Sequence, residues 1–157
     1  MAEAFYSVVL DHPAEAVWAT IRPFGHYAWA GVEAETTIEE GKADDQVGAV
    51  RHVAMPGRTI RQKLLAHSDL ERSYTYSYCE PAPVANYVAT IRVTPVAETG
   101  QAFVDWRATF DCEPEERARW IEQFEQKGFA VWLTALRNFM IENSPRQNVR
   151  SYAASSR

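Results

Sequence analysis

A long helix that follows a run of strands constrains the fold of this chain more than any other feature. The segment 114–142, "PEERARWIEQFEQKGFAVWLTALRNFMIE", begins with Pro114 and two acidic residues, which suit a helix N-terminus, and ends before Pro145. About 28 residues at 1.5 Å each give a rod near 42 Å long. Residues at helical spacing repeat along one side of it: Trp120, Phe124, Gly128, Val131, Trp132, Leu136 and Phe139. The rod therefore needs a long apolar surface to cover.

The chain before this helix predicts strands joined by short turns. The predicted strands are 4–11, 32–40, 47–55, 59–67, 72–80, 86–96 and 101–110. Two short helical segments, 13–21 and 22–31, follow the first strand. Consecutive strands with short connections form an antiparallel sheet, and a sheet of this width twists and curls. The predicted class is α+β, a seven-stranded antiparallel sheet curled around the long helix.

The chain length predicts one folded unit. Its 157 residues suit a single domain over 1–143, followed by a polar, flexible tail over 144–157. Cys79 and Cys112 end two strands that a third strand separates, so disulfide formation between them is not expected. Both are predicted to be free structural thiols.

Charge and hydropathy exclude several classes of protein. The net charge is −5 and the basic residues form no dense run, which argues against binding a nucleic-acid backbone. Apolar runs fall far short of the roughly 20 residues needed to cross a bilayer, so membrane insertion is not expected. The N-terminal sequence has acidic residues early and no basic n-region, unlike a signal peptide. A cytoplasmic location is the expectation.

The stretch "RSYTYSYCE", 72–80, alternates tyrosines with small polar residues. In a strand, such period-2 spacing puts all the phenols on one face. Applied to four strands, the same parity gives this inward set: Ile60, Gln62 and Leu64; Tyr74, Tyr76 and Tyr78; Tyr87, Ala89, Ile91 and Val93; Val104, Trp106, Ala108 and Phe110. Strand 47–55 stays ambiguous, with either Arg51, Val53 and Met55 or Val50, His52 and Ala54 inward.

The inward set holds too many phenols for a dry, solid core, because each buried hydroxyl needs a hydrogen-bond partner. It suits a cavity that is apolar in bulk and has a few polar groups, as small-molecule pockets usually do. The alternative is that the hydroxyls reach a wet rim of the sheet.

Three segments carry a resemblance to a known family: "DQVGAVRHVAM", "IRQKLLAHSDLERSYTYSYCEPAPVANYVATIRVTPV" and "FVDWRATF". Over residues 4–142 the chain resembles the SRPBCC superfamily, in particular its polyketide cyclase/dehydrase branch and, more distantly, plant abscisic acid receptors. The resemblance implies a helix-grip fold with a hydrophobic cavity between sheet and helix. It also implies that Arg51 of the Val-Gly-x-Val-Arg signature points into that cavity, which would settle the ambiguous strand.

Pattern and resemblance together give the candidate ligand-binding residues. They are Arg51, Val53, Met55, Gln62, Tyr74, Tyr76, Tyr78, Tyr87, Ala89, Trp106, Phe124, Gly128 and Trp132. Gly128 also has a physical argument of its own, because a mid-helix glycine costs about 1 kcal/mol relative to alanine and suggests room left for something close by.

The chain departs from the receptors at several points. It has Glu33 and Glu35 where they carry a ligand-gripping lysine, and Trp106 where they carry a carboxylate. The receptor gate and latch are replaced by "MPGR", 55–58, and "APV", 82–84. These departures argue against abscisic acid as the ligand and against a lidded hormone switch.

Arg51 is the sharpest candidate for binding chemistry. Its guanidinium keeps its charge, so it needs either a ligand oxygen or an internal partner, and the sequence leaves both open. Phenols with an ordinary pKa near 10 are donors at neutral pH. The histidines, His12, His26, His52 and His67, show no metal-ligand spacing, and no nucleotide fingerprint is present, so neither a metal nor a cofactor is predicted.

Three functions remain open from the sequence. The first is binding of a small hydrophobic molecule, aromatic or polycyclic, with an oxygenated end near Arg51, Gln62 and the tyrosines. The second is an enzyme that cyclises or dehydrates a poly-β-keto chain in the same cavity, with Arg51 and a tyrosine stabilising an enolate. The third is an interaction protein whose cavity is filled by Trp106 and Trp132. A protein partner or a homodimer stays undetermined.

Overall fold

Seven antiparallel strands form one sheet in this computed structural model, which describes residues 1–31, 36–55 and 57–144. The strands are β1 (Ala2–Leu10), β2 (Thr36–Ile38), β3 (Val50–Met55), β4 (Arg58–Ser68), β5 (Ser73–Tyr78), β6 (Ala85–Pro95) and β7 (Ala102–Asp111). Their order across the sheet is β1-β7-β6-β5-β4-β3-β2. The predicted α+β class, with a curled antiparallel sheet against one long helix, is confirmed.

Two short helical segments follow β1, as predicted. Helix α1 spans Ala14–Ile21, and a 3-10 turn spans Ala28–Ala30 and ends at Gly31, which has a positive φ of 73°. Glu33 and Glu35, which the sequence places where the receptors carry a lysine, lie outside the described residues, in the segment 32–35. Most of the predicted tail, from 145 onward, also lies outside them. The domain boundary at 143 stays a prediction.

Two predicted strands are shorter than expected at the β2–β3 connection. β2 ends at Ile38 because Glu39–Gly41 forms a 3-10 turn in which Glu40 has a positive φ of 57°. β3 begins at Val50, directly after two turns: the Gln46 amide donates to the Ala43 carbonyl oxygen at 3.1 Å, and the Ala49 amide donates to the Gln46 carbonyl oxygen at 3.0 Å. Before β3 the backbone still bonds to β4, because the Gly48 amide donates to the Leu64 carbonyl oxygen and the Leu64 amide donates to the Ala49 carbonyl oxygen, each at 2.8 Å.

The long helix is continuous from Pro114 to Glu142 but is not uniform. A 3-10 turn, Pro114–Glu116, leads into α2 (Arg117–Phe124), then a π-helical turn (Glu125–Phe129), then α3 (Ala130–Glu142). A π turn holds one extra residue, so the face that follows it shifts by one position.

This shift corrects the predicted apolar stripe. The residues of the long helix buried in the core are Phe124, Gly128, Phe129, Leu133, Leu136 and Met140. Val131, predicted on the inner side, is 53% exposed. Trp120, Trp132 and Phe139 are half-buried at the margins of the stripe.

The predicted strand parity is confirmed. The inner face buries Tyr74, Tyr76 and Trp106, each at most 1% exposed. The inward face of β3, which the sequence left open, is the one that carries Arg51 and Val53. These two residues are buried, whereas the residues on the other face are half-buried or exposed. Among the helices of the described chain, none has the length and apolar character that a bilayer crossing needs.

Asp69, in the β4–β5 turn, ties α1 to the sheet. Its carboxylate accepts hydrogen bonds from Arg22 Nε at 2.6 Å, Trp18 Nε1 at 3.0 Å and, across a longer 3.2 Å, contacts His67 Nε2. The hydrogen bond to Arg22, more than those to Trp18 and His67, holds the pKa of Asp69 well below its usual range, although partial desolvation opposes the shift. The ionised carboxylate is thus what stabilises this junction.

We expect Asp69→Asn to lower the melting temperature at pH 7 and to lose its effect in acid. Because the folded-state pKa lies below the unfolded value of about 3.9, the stabilisation is complete above that value and is lost as pH falls through the folded pKa. Thermal unfolding from pH 7 to pH 2 checks this. Asp45→Asn is the matched control, since Asp45 also accepts from Arg22, at 3.1 Å. If the difference in melting temperature between the wild type and Asp69→Asn grows as the pH falls, the ionised Asp69 carboxylate is not what stabilises this junction.

Candidate ligand-binding site

A cavity of about 650 Å³ opens between the sheet and the long helix. We call it the mouth cavity. Its walls come from the start of β4, the end of β5, the loop that follows β5, and both α2 and α3 with the π turn between them. The lining residues are Arg58, Thr59, Ile60, Tyr78, Pro81, Ala82, Pro83, Arg119, Trp120, Gln123, Phe124, Lys127, Gly128 and Trp132. This volume falls within the roughly 300–1,000 Å³ of small-molecule sites.

Aromatic rings make up the wall nearest the core. Tyr78 packs against Tyr87 with ring centroids 4.7 Å apart, and Phe124 packs against the same ring at 5.0 Å. Trp120 stacks on Phe124 at 5.6 Å and continues the wall toward solvent. These packed rings give the cavity an apolar wall.

The π turn shapes the helical wall. It holds Gly128 at the cavity surface, where an added Cβ would lie 3.4 Å from the Trp132 ring. The indole of Trp132 thus lies directly beside Gly128. Without a side chain at this position, the indole can lie along the helix and the cavity stays open beside it.

Tyr78 is the tyrosine among the residues that line the mouth cavity. Burial raises the pKa of its phenol above the usual value, although the Gln62 amide and the charges of Arg58 and Arg51 act in the opposite direction. The phenol is therefore protonated at neutral pH. It is a hydrogen-bond donor to a ligand oxygen rather than a base.

Arg51 lies deeper, fully buried within the aromatic core. Its Nε donates to Gln62 Oε1 at 2.8 Å, and its Nη1 donates to the Phe24 carbonyl oxygen at 3.3 Å. The guanidinium carbon lies 4.1 Å from the Phe24 ring centroid, 4.5 Å from that of Tyr27 and 5.1 Å from that of Tyr76. Cation–π attraction of this kind is strongest where water is excluded, as it is here.

The charge of Arg51 has no carboxylate partner within the described chain. Burial by itself lowers the pKa of Arg51, but the nearby phenols of Tyr74, Tyr27 and Tyr76 outweigh burial and raise the pKa above its usual value, so the group stays charged. Its Nη2 and the Tyr74 hydroxyl are buried without a hydrogen-bond partner among those residues. A buried, unneutralised cation is costly, so its surroundings must hold it by hydrogen bonds and ring faces.

Trp106 fills the centre of the space under the sheet. It stacks on Phe129 with ring centroids 4.8 Å apart, and its centroid lies 6.0 Å from that of Trp29. Its Nε1 donates to the Tyr76 hydroxyl at 3.1 Å. The deep part of the region between sheet and helix is thus a packed aromatic core, and the open space lies at its mouth.

The structure therefore divides the predicted site residues into two groups. Four line the mouth cavity: Tyr78, Phe124, Gly128 and Trp132. Others form the core behind it: Arg51, Val53, Gln62, Tyr74, Tyr76, Tyr87, Ala89 and Trp106. The side chain of Met55 lies outside the described residues.

Sequence reasoning missed much of the rim. The segments 55–58 and 82–84, which replace the receptor gate and latch, could have indicated part of the rim, because they contain Arg58, Ala82 and Pro83. Lys127 gave no signal, because its place at the cavity depends on the π turn.

Metal and histidine chemistry are not evident at the site. No cluster of three metal-ligating side chains occurs in the part of the chain that the structure describes. His52 instead pairs with Glu39 on the outer face of the sheet, where Arg61 Nε also donates to Glu39 at 2.9 Å. Cys79 and Cys112 are free thiols.

The sequence profile of the family described as polyketide cyclase / dehydrase and lipid transport matches residues 1–141. The chain belongs to this family. The match covers every strand and nearly all of the long helix, which agrees with the helix-grip architecture. None of the curated proteins matches the chain.

Solved structures extend the comparison for this polyketide cyclase / dehydrase and lipid transport family member. It is similar to XoxI from Bacillus cereus, with 31% identity and a TM-score of 0.77 over 90% of this chain and 96% of that chain. A Thermobifida fusca protein has 30% identity and a TM-score of 0.76 over 87% and 91%. Norcoclaurine synthase from Thalictrum flavum shares the fold, with 16% identity and a TM-score of 0.70 over 92% and 88%.

Proposed function

We propose that this protein binds a small hydrophobic molecule, aromatic or polycyclic and bearing oxygen, in the mouth cavity. The observation that carries the proposal is the cavity of about 650 Å³, which has an aromatic wall and a phenol, that of Tyr78, among its lining residues. Apolar contact supplies affinity in such a site, and a few polar groups fix orientation. The core behind the cavity limits how deep the ligand enters.

The proposed pose places the flat part of the ligand against Phe124 and Trp132. An oxygen of the ligand accepts a hydrogen bond from Tyr78. Across the sheet, Tyr78 is paired in register with Gln62, which is in turn paired with Arg51. The buried positive charge thus lies two strands across the sheet from the phenol and favours electron-rich oxygen at that end of the ligand.

The family description supports this proposal, since it includes both polyketide chemistry and lipid transport. Norcoclaurine synthase was solved with dopamine and hydroxybenzaldehyde, which are small oxygenated aromatic molecules. We propose ligands of similar chemistry here, with Phe124 and Trp132 as the contact surface.

The rival proposal, a cyclase or dehydratase, requires a group that accepts a proton. The described residues that line the mouth cavity include no aspartate, glutamate or histidine. The phenol of Tyr78 is protonated at neutral pH, so it can stabilise an enolate oxygen but cannot deprotonate a carbon acid. Binding is therefore the function that the geometry supports best.

The test uses 1-pyrenebutanol, a neutral aromatic alcohol whose absorption overlaps tryptophan emission. We expect binding to quench the protein's tryptophans by energy transfer. Gly128→Leu fills the cavity beside Trp132 and should weaken binding by about tenfold or more, equivalent to about 1.4 kcal/mol. Native mass spectrometry of the purified protein would reveal a co-purified ligand directly.

Val131→Leu is the matched control, since Val131 lies on the exposed side of the same helix. It should bind the probe as the wild type does, and thermal unfolding should show that both variants are folded. If the probe does not bind the wild type, or if Gly128→Leu binds it equally well, the mouth cavity is not the binding site.

A further inference from the structure

We infer that the ligand is an amphipathic anion whose acidic group lies at the rim of the mouth cavity, between Arg58 and Lys127. This inference rests on the proposed function and names the class of molecule that the site selects. The apolar part of the ligand enters against the aromatic wall, and its carboxylate, or a comparable oxyanion, stays at the wet edge.

The charge distribution of the chain makes the rim unusual. The protein is acidic overall, with 21 aspartates and glutamates against 16 lysines and arginines. The lining of the mouth cavity nevertheless includes three basic residues, Arg58, Arg119 and Lys127, and no carboxylate among the described residues. A cavity of one charge sign on a protein of the opposite sign attracts ligands that complement the cavity.

The two cations that carry the inference lie on opposite walls. Arg58 begins β4 on the sheet side, and Lys127 lies in the π turn on the helix side. Neither forms an ion pair within residues 1–31, 36–55 and 57–144. Arg119 differs, because its Nη2 pairs with Glu116 at 2.6 Å and its guanidinium lies 4.8 Å from the Trp120 ring centroid.

Nearby acidic side chains are held in other interactions. Glu125, in the same π turn as Lys127, accepts a hydrogen bond from the Phe5 amide of β1 at 2.8 Å. Glu80, which precedes the loop of the cavity, accepts from the Ala82 amide at 3.2 Å. Neither carboxylate lines the mouth cavity, so a ligand anion can approach the two basic side chains.

Arg58 also connects the rim to the interior hydroxyl. Its positive charge acts on the Tyr78 phenol and lowers the pKa that burial raises. Arg58 and Tyr78 line the same cavity, so an oxyanion beside Arg58 has a hydrogen-bond donor within that cavity. Charge-assisted hydrogen bonds are stronger than neutral ones, so these groups together favour an acid over its neutral analogue.

The experiment compares two probes that differ only in their end group, 1-pyrenebutyrate and 1-pyrenebutanol. At low ionic strength the acid should bind roughly five- to tenfold more tightly, because two exposed cations each contribute modestly. Added salt should shrink this preference, since exposed charges are screened. Energy transfer from the protein's tryptophans measures both affinities.

Charge-neutral variants locate the effect. Arg58→Gln combined with Lys127→Gln should bring the ratio of the affinity for the acid to the affinity for the alcohol close to one. Lys63→Gln combined with Arg92→Gln is the matched control, because it removes the same charge from exposed positions away from the cavity. The control should retain the preference for the acid.

The outcomes separate the inference from the proposed function. If neither probe binds, the proposed function fails. If both bind the wild type equally, the cavity binds ligands but does not select an anion, and the inference is overturned. The inference is also overturned if the preference survives in the rim variant, or if it falls equally in the control.

Discussion

Replacing Trp106 by alanine is expected to lower the free energy of unfolding by about 3–5 kcal/mol, the usual cost of deleting a buried aromatic ring. Trp106 is fully buried and stacks on Phe129. Removal of its ring leaves a void between the sheet and the helix, and the surrounding side chains cannot move enough to fill it. The Tyr76 hydroxyl also loses its indole donor. Urea unfolding at constant m-value measures the change.

Trp106→Phe is the matched control. It keeps an aromatic ring against Phe129 and removes the indole N–H, so it should cost about 1–2 kcal/mol through the lost hydrogen bond and lost volume. A loss below about 1.5 kcal/mol for the alanine variant would contradict a packed interior. It would instead favour a hydrated cavity that extends from the mouth to Trp106.

Replacing Arg51 separates its packing from its charge. Arg51→Ala should lower the free energy of unfolding by about 2–4 kcal/mol, because a void forms and the Phe24 carbonyl and Gln62 lose their donors. Arg51→Met keeps most of the volume and removes a buried cation, so it should lie within about 1.5 kcal/mol of the wild type. The same urea unfolding measurement applies.

The comparison of the two Arg51 variants decides what the arginine does. If methionine is as damaging as alanine, the cation–π contacts with Phe24 and Tyr27 stabilise the fold more than the volume does. If Arg51→Met is stable but binds 1-pyrenebutanol more weakly, the charge acts on the ligand through Gln62 and Tyr78. Unchanged binding would make its role structural.

The positions of Trp106 and Trp132 bear on the third function that the sequence left open, an interaction protein whose cavity these two residues fill. Trp106 does fill the interior, where it contacts Trp29 and Phe129. Trp132 is half-buried and lines the mouth cavity instead. The space between the sheet and the helix is therefore only partly filled. Trp106 occupies its centre, and the open part lies at the edge of the fold.

Strand parity shows how far local sequence reasoning reached. The tyrosines of 72–80 alternate with small polar residues, and a strand can present such a pattern in only two ways. The buried phenols of Tyr74 and Tyr76 confirm the predicted face. The same reasoning left β3 ambiguous, because Arg51 and His52 are both polar and parity gives no preference between them.

The sequence by itself determined the order of the elements, the inner face of most strands and the length of the final helix, because these depend on periodicity and on turn residues near in the chain. Only the tertiary structure decided where open space remains. The π turn at Glu125–Phe129 shifted the helix face by one residue, and Trp106 filled the centre. Free volume is a difference between packed side chains from distant strands and a helix, so no local pattern encodes it.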